Sequence, residues 1–174
     1  MINERARIAH HEAGHAVIAY RLGFYLGPAG IGEDGGFSRS EGEWGDGSRD
    51  FDAAIVYYAG HAAARRRDPS LPTDPGLTGA FDDYEKAAAL LPTFRQENET
   101  LEQTRVRVER ATVELTEQHW AEISAVAEAL FAESWLAGDD IDLIADAVVE
   151  GDDWVSKLAE YRARRDFVNN LPKP

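Results

Sequence analysis

Two histidines and a glutamate near the start of the chain have the spacing of a metal-binding motif. His11, Glu12 and His15 form the pattern His-Glu-x-x-His inside a segment with helical periodicity. Residues four apart project from the same face of an α-helix, so both imidazoles can reach one zinc ion (Zn2+). Glu12, one position further round the helix, can take a proton from a metal-bound water. The alternative interpretation is a hydrogen-bonded histidine pair in the core of an amphipathic helix.

A catalytic zinc site needs a third protein ligand, which this pattern does not contain. The metzincin class is excluded, because Ile18 and Arg21 stand where its glycine and third histidine would be. A thermolysin-like site would take a glutamate from a later helix, and Glu99 is the candidate for that role. His61, in a second predicted helix, is another candidate ligand, although it can also be a packed core residue.

The segments around the motif predict a helix followed by a small β element. Asn3 is expected to cap a first helix that ends near Leu22, with both histidines on its apolar side. Gly14 is unusual inside a helix, and we expect it to let another backbone approach closely. Residues 24–47 are rich in glycine and predict short strands, in the form of a small hairpin or an edge strand.

The rest of the chain is predicted to be mostly helical. The arginines at 65–67 close a second helix, where they complement the helix dipole or form an anion site. Thr93 and Gln96 have the spacing of a capping box. The expected helices cover residues 48–67, 80–91 and 93–137, the last with breaks near 98–100 and 117–120, and two more begin near 139–140 and 152–153.

Three stretches of the chain carry a resemblance to a known family. Residues 11–15 read His-Glu-Ala-Gly-His, residues 59–64 read Ala-Gly-His-Ala-Ala-Ala, and residues 77–87 contain Thr-Gly-Ala-Phe-Asp-Asp. In these stretches the chain resembles the peptidase domain of FtsH, the AAA+ zinc protease. The resemblance spans about residues 5–145. It implies a mainly α fold, a helical zincin with a small β element near the metal helix.

The family motifs also imply a set of site residues. In the family, a T-G-A-x-N-D-L-x-x-A segment provides an aspartate as the third zinc ligand. Carried over to this chain, the resemblance implies that His11, His15 and Asp83 are the metal ligands. It implies that Glu12 is the catalytic base.

The chain departs from the family pattern at five of these positions. Asp82 replaces an asparagine, Phe81 a small residue, and Tyr84 a leucine. In the middle motif, His61 and Ala64 replace an arginine and a glutamate. Loss of that glutamate can alter the packing around the histidines, so the resemblance also allows a site without activity.

Composition limits the partners of the chain. With 32 acidic and 18 basic residues among 174, its net charge of −14 argues against binding to nucleic acid or to anionic membrane surfaces. The absence of cysteine excludes disulfides and thiolate zinc sites.

The start of the chain lacks a signal-peptide pattern, and residues 53–64 are too few to span a bilayer, so we expect a cytoplasmic protein. No glycine-rich phosphate loop followed by Lys-Ser or Lys-Thr occurs, so we expect no ATPase activity of its own.

These patterns lead to one expected function and two alternatives. We expect a single domain over residues 1–174, with a zinc-site half at 1–92 and a helical half at 93–168. Its expected activity is that of a zinc metallopeptidase that hydrolyses unfolded or flexible polypeptides, with a homo-oligomer or an ATPase acting in trans left open. One alternative is a catalytically silent zinc-binding domain that serves partner binding or regulation. The other is a different zincin that cleaves one specific partner, with Glu99 as its third ligand.

Overall fold

The chain folds mainly as α-helices, as its sequence pattern predicts, with one small β-sheet. The computed structural model describes residues 3–33, 35–41, 49–72 and 81–169. The elements in these ranges are α1 (Glu4–Arg21), β1 (Tyr25–Ile31), β2 (Gly36–Glu41), α2 (Asp50–Arg67), α3 (Phe81–Leu90), α4 (Leu101–Gln118), α5 (Trp120–Glu133), β3 (Trp135–Leu136), α6 (Gly138–Glu150) and α7 (Trp154–Asn169). No helix in these ranges is both long and apolar enough to cross a membrane.

Helix α1 begins and ends where the sequence predicts. Asn3 is its N-cap, and the Asn3 side-chain oxygen accepts a hydrogen bond from the Arg5 backbone N–H at 3.0 Å. Nine of its residues are buried, because α1 packs against α2, α5 and the sheet. Ser48 and Ala80, expected at the starts of the second and third helices, lie outside the described residues.

Close packing of α1 on α2 explains the glycine inside the metal-binding motif. A Cβ atom added at Gly14 would lie 2.6 Å from the carbonyl oxygen of Ala59 and 2.7 Å from the Cβ of Ala63. Both alanines are fully buried. The two helix backbones therefore approach at a distance that only glycine allows, which confirms the predicted use of Gly14.

The sheet has the strand order β2-β1-β3, and both pairs are antiparallel. The hairpin of β1 and β2 confirms the prediction for this segment. The predicted helix up to Ala137 is wrong at its end, because Ser134 adopts a left-handed conformation with φ of 68° and ends α5. The next two residues form β3, which pairs with Ala29 and Gly30 near the end of β1 and buries Leu136.

The predicted capping box at Thr93 and Gln96 is also wrong. Thr93 lies in a 3₁₀ turn (Leu91–Thr93) that contains Pro92, and its hydroxyl donates to the carbonyl of Leu90 at 2.7 Å. The same residue pattern recurs seven positions later. There Thr100 and Gln103 form the capping box that begins α4.

A buried carboxylate joins the last two helices. Asp140, near the start of α6, is fully buried and accepts hydrogen bonds from Arg162 at 2.8 Å and Arg165 at 3.3 Å, both on α7. Its Oδ2 also accepts the backbone N–H of Ala137 at 3.3 Å. Asp140 thus caps α6 and holds α7 against it with charge-assisted hydrogen bonds.

Candidate metal centre

Helices α1 and α3 bring together the two histidines and the aspartate. The Nε2 atoms of His11 and His15 are 3.0 Å apart. Oδ2 of Asp83 lies 3.3 Å from the first nitrogen and 3.2 Å from the second. Within the described ranges, these three residues are the one group of histidine and acidic side chains that lies close enough to hold a metal ion.

The spacing of these atoms fits a zinc ion with one open position. Zinc bonds of about 2.0–2.1 Å to nitrogen and oxygen place tetrahedral ligands about 3.3–3.4 Å apart. The three edges of the triangle formed by His11, His15 and Asp83 measure 3.0–3.3 Å. Two imidazoles and one carboxylate are also a donor set that zinc accepts in catalytic sites, where three protein ligands leave the fourth position free.

Helix α2 orients one of the two imidazoles. Nδ1 of His15 donates a hydrogen bond to the backbone carbonyl of Val56 at 2.7 Å. In the neutral imidazole, Nε2 therefore carries a lone pair that faces Oδ2 of Asp83. The lone pair of His15 Nε2 and the carboxylate oxygen Oδ2 of Asp83 are both hydrogen-bond acceptors, and they lie 3.2 Å apart. This arrangement requires a proton or a cation between them. A hydrogen bond from the distal nitrogen to a carbonyl is the usual support of a metal-binding histidine.

The backbone of α2 also packs against this ring. A Cβ atom at Gly60 would overlap the His15 imidazole, with Nε2 as the nearest atom. Because Gly60 has no side chain, the His15 ring can lie directly against the α2 backbone. It lies in the middle stretch of the family resemblance, which gave no role for it.

The charges of the three groups are strongly coupled. Although burial opposes its ionisation, hydrogen bonds from the two histidines hold the pKa of Asp83 far below its ordinary value. Burial lowers the pKa of His11. Burial also opposes charging of His15, but the contacts with Asp83 and Glu12 outweigh it and raise the pKa of His15. These shifts favour a charged Asp83 carboxylate and, of the two imidazoles, a proton on His15 rather than on His11.

Glu12 lies between this group and the edge of the sheet. Its side chain is only 6% exposed, and burial raises its pKa to about 7. A Cβ atom at Gly36, the first residue of β2, would lie 2.6 Å from Cγ of Glu12 and 2.7 Å from its Oε1. The carboxylate therefore packs directly against the backbone of the strand.

The site opens into a cavity of about 560 Å³. Its lining includes Ser38 and Ser40 of β2, Tyr57 of α2 and Lys86 of α3. Within the described residues, β2 pairs only with β1, so its other edge has no strand partner. An unpaired strand edge offers backbone N–H and C=O groups to an extended chain.

The two other candidate ligands lie elsewhere. Glu99 forms an ion pair with Arg107 at 2.9 Å, accepts the Gln96 backbone N–H at 3.2 Å and is not part of the group. His61 is buried on α2, where its ring meets the edge of the Tyr84 ring with centroids 5.6 Å apart. The geometry thus favours Asp83 over both of them as a third donor.

The sequence did not predict the residues that hold the His15 and Glu12 side chains in position. Val56 acts through its backbone carbonyl, and no residue type signals such a contact. Gly36 and Gly60 act through the side chains that they lack. Glycine in the middle of a helix is a detectable signal at position 60, because it destabilises a helix by about 1 kcal/mol relative to alanine.

Comparisons with known proteins assign no family to this site. Neither the protein-family models nor the curated proteins searched match this chain. What the site can do therefore follows from its donor atoms, their spacing and the groups around them.

Proposed function

We propose that this chain is a zinc-dependent endopeptidase with a peptidase domain of the FtsH type, acting on unfolded or flexible polypeptides. The observation that carries the proposal is the triangle of His11 Nε2, His15 Nε2 and Asp83 Oδ2, with edges of 3.0–3.3 Å, beside a buried glutamate. A histidine pair that served only the core would have no reason to bury Glu12 next to it.

In this proposal His11, His15 and Asp83 hold the metal. Zinc supplies Lewis acidity for a water molecule and for the scissile carbonyl. Val56 and Gly60 keep the His15 ring in place, because they fix its Nδ1 hydrogen bond and its face. Support of this kind keeps the donors at the separation that the metal needs.

Glu12 is the proposed general base. It accepts a proton from the attacking water and passes it to the leaving amine. Its contact with Gly36 places it at the first residue of β2, so a chain that pairs with this strand passes beside the carboxylate. Proton transfer by such a group contributes roughly 10²–10⁴ to the rate.

The proposed substrate binds as an added strand. Ser38 and Ser40 of β2 line the cavity, and the edge of β2 away from β1 has no strand partner among the described residues. Pairing with a strand edge requires an extended backbone, which folded proteins rarely expose. The enzyme should therefore cleave unfolded polypeptides and spare the same proteins when folded.

Metal content and peptidase activity, measured in parallel, test the proposal. We expect one zinc per chain in the wild type and in Glu12→Gln, and its loss in His15→Ala and Asp83→Ala. The matched control is Asp82→Ala, which removes the exposed neighbouring carboxylate and should keep the metal. Retention of zinc by Asp83→Ala would overturn the assignment of the third ligand.

Activity is followed on a fluorescently labelled, unfolded polypeptide. Glu12→Gln should lower turnover by about 10²–10⁴ while zinc stays bound. The control is Glu85→Gln, the same change at an exposed position of α3. Full zinc occupancy without cleavage of any unfolded polypeptide would reject the peptidase and favour the silent zinc-binding domain.

A further inference from the structure

Strand β2 presents only small side chains toward the candidate metal centre. Successive side chains along a strand point to opposite faces of the sheet. The register shift in the hairpin adds its extra residue to β1, so this alternation is unbroken along β2. Gly36 lies against the side chain of Glu12. Ser38 and Ser40 share the face of Gly36, and both line the metal-site cavity.

The other face of β2 carries an aromatic ring and a cation. Phe37 is 45% exposed, and Arg39 is exposed as well. The Phe37 ring extends over Gly30 of β1, where an added Cβ atom would lie 2.7 Å from Cε1 of the ring. The guanidinium carbon of Arg39 lies 5.9 Å from the centroid of the same ring. The two side chains therefore form one surface, the Phe37–Arg39 face, and Phe37 also borders the metal-site cavity.

The charge of Arg39 is not neutralised by a carboxylate in the part of the chain that the structure describes; its contact there is the Phe37 ring. The two cations that line the metal-site cavity differ in this respect. Arg7 pairs with Glu4, and Lys86 lies 3.8 Å from a carboxylate oxygen of the third candidate ligand. An exposed guanidinium held beside a ring can form charge-assisted hydrogen bonds with the carboxylate of a ligand.

A polypeptide that pairs with the free edge of β2 would place its side chains beside this face. Paired residues on neighbouring strands have Cβ atoms about 4.5–5.5 Å apart. One substrate residue would lie opposite Phe37, and the residue two positions along would lie opposite Arg39. The substrate residue between them would point to the other face of the sheet, toward the cavity and the metal centre.

We propose that the Phe37–Arg39 face selects the substrate, favouring an apolar side chain opposite Phe37 and an acidic side chain opposite Arg39. The proposal rests on the proposed function, because it assumes that a polypeptide adds to β2. Aromatic and β-branched side chains pack well against an aromatic cross-strand neighbour, and opposite charges attract across strands. The selected substrates are extended segments in which one residue separates an apolar residue from an acidic one.

Peptide binding to the zinc-loaded variant Glu12→Gln tests the proposal apart from catalysis. Short fluorescein-labelled peptides carry the central sequence Phe-Thr-Glu. Matched peptides replace the glutamate by lysine or the phenylalanine by alanine. An added strand can run in either direction, so every peptide is made in both orders and the tighter order is compared. Fluorescence anisotropy at low ionic strength measures each Kd, because salt screens exposed charges.

The expected preferences follow from cross-strand pairing. The glutamate peptide should bind roughly fivefold more tightly than the lysine peptide. Adding Arg39→Glu should reverse this preference, a result that a loss of folding cannot produce. Replacing the peptide phenylalanine by alanine should weaken binding by about two- to fivefold, and Phe37→Thr should remove that difference. The control Arg110→Glu makes the same charge change at an exposed arginine of α4 and should keep the preference for glutamate.

Two results would overturn the selection by this face. One is equal affinity for the glutamate and lysine peptides, or failure to bind either of them. The other is an unchanged preference in Arg39→Glu. Cleavage of the same peptides by the wild type separates this proposal from the proposed function. Selective binding without cleavage supports the Phe37–Arg39 face and rejects the peptidase, whereas cleavage that ignores both positions rejects the selection alone.

Discussion

His15 on α1 donates its Nδ1 hydrogen to the backbone carbonyl of Val56 on α2, at 2.7 Å. This bond couples the packing of two helices to the state of one imidazole. It fixes the side of the ring that faces His11 and Asp83, so the geometry of the candidate metal centre depends on how closely α1 and α2 pack.

The first prediction concerns Gly60, whose backbone borders the His15 ring. Gly60→Ala places a methyl group where the imidazole lies, so the ring must leave its position beside Asp83 and His11. We expect zinc affinity to fall by about 10–100-fold, the usual effect of disturbing the support of a ligand. Competition with a chromogenic chelator measures this affinity. Ala62→Ser, a change at a partly exposed site two residues later, is the control, and equal zinc affinity in Gly60→Ala would contradict the prediction.

The second prediction concerns the stability of the α1–α2 contact. Replacing glycine by alanine inside a helix normally stabilises by about 1 kcal/mol. At Gly14 the added methyl would lie 2.6 Å from the Ala59 carbonyl oxygen, and overpacking costs about 1–3 kcal/mol. We therefore expect Gly14→Ala to reduce the free energy of unfolding by about 1 kcal/mol, measured by urea denaturation. If Gly14→Ala were more stable than the wild type, α1 and α2 could move apart to admit the methyl group without a loss of stability, and the prediction would be wrong.

The third prediction is a dependence of stability on pH that comes from α6. Burial, followed by repulsion from Asp139 and Asp146, raises the pKa of Asp142 to about 6. The folded state therefore binds this proton more tightly than the unfolded chain does. The stabilisation that it provides is complete below about pH 4 and is lost as the pH rises to about 6.

The neutral variant Asp142→Asn tests this dependence. At pH 7 it should be more stable than the wild type by about 1 kcal/mol, a value reduced from the full pKa shift because the side chain is partly exposed. At pH 4 the two should be equal. Urea denaturation at both pH values measures the difference. The control Glu128→Gln removes one charge from an exposed site and should show no such change with pH.

The fourth prediction concerns the attachment of α7. Asp140→Ala removes the buried acceptor of Arg162 and Arg165 and the cap of α6. Both arginines are partly exposed and can regain water, so we expect a loss of about 2–3 kcal/mol rather than the full cost of a buried unpaired charge. Thermal unfolding measures it. Glu160→Ala, which removes an exposed pair with Arg164, should cost less than about 0.5 kcal/mol.

The parts of the fold that were predictable from the sequence depend on local signals. Asn3 and the apolar periodicity define α1, and the glycine-rich stretch defines the hairpin. Strand β3 was not predictable, because its two residues are strand only through pairing with β1, more than 100 positions earlier. Thr93 and Thr100 carry the same capping pattern, and only the turn at Pro92 decides between them.

The residues of the candidate site also fall into those that a local sequence pattern predicts and those that it does not. His11, Glu12 and His15 form a local pattern that any helix of this sequence brings together. Asp83 is 72 positions from His11, and only the family resemblance singled it out. Val56 and Gly36 contribute backbone and free space, which no residue pattern reveals.

Helix α3 is a partition between two chambers. Asp83 and Tyr84 are consecutive, yet Asp83 borders the chamber with the two α1 imidazoles, and Tyr84 borders a second chamber, of about 820 Å³, between α2, α3 and α4. The helix has only ten residues, and a single one of them, Ala87, is fully sequestered from solvent. Any roll of this short segment about its axis must therefore reshape both chambers together.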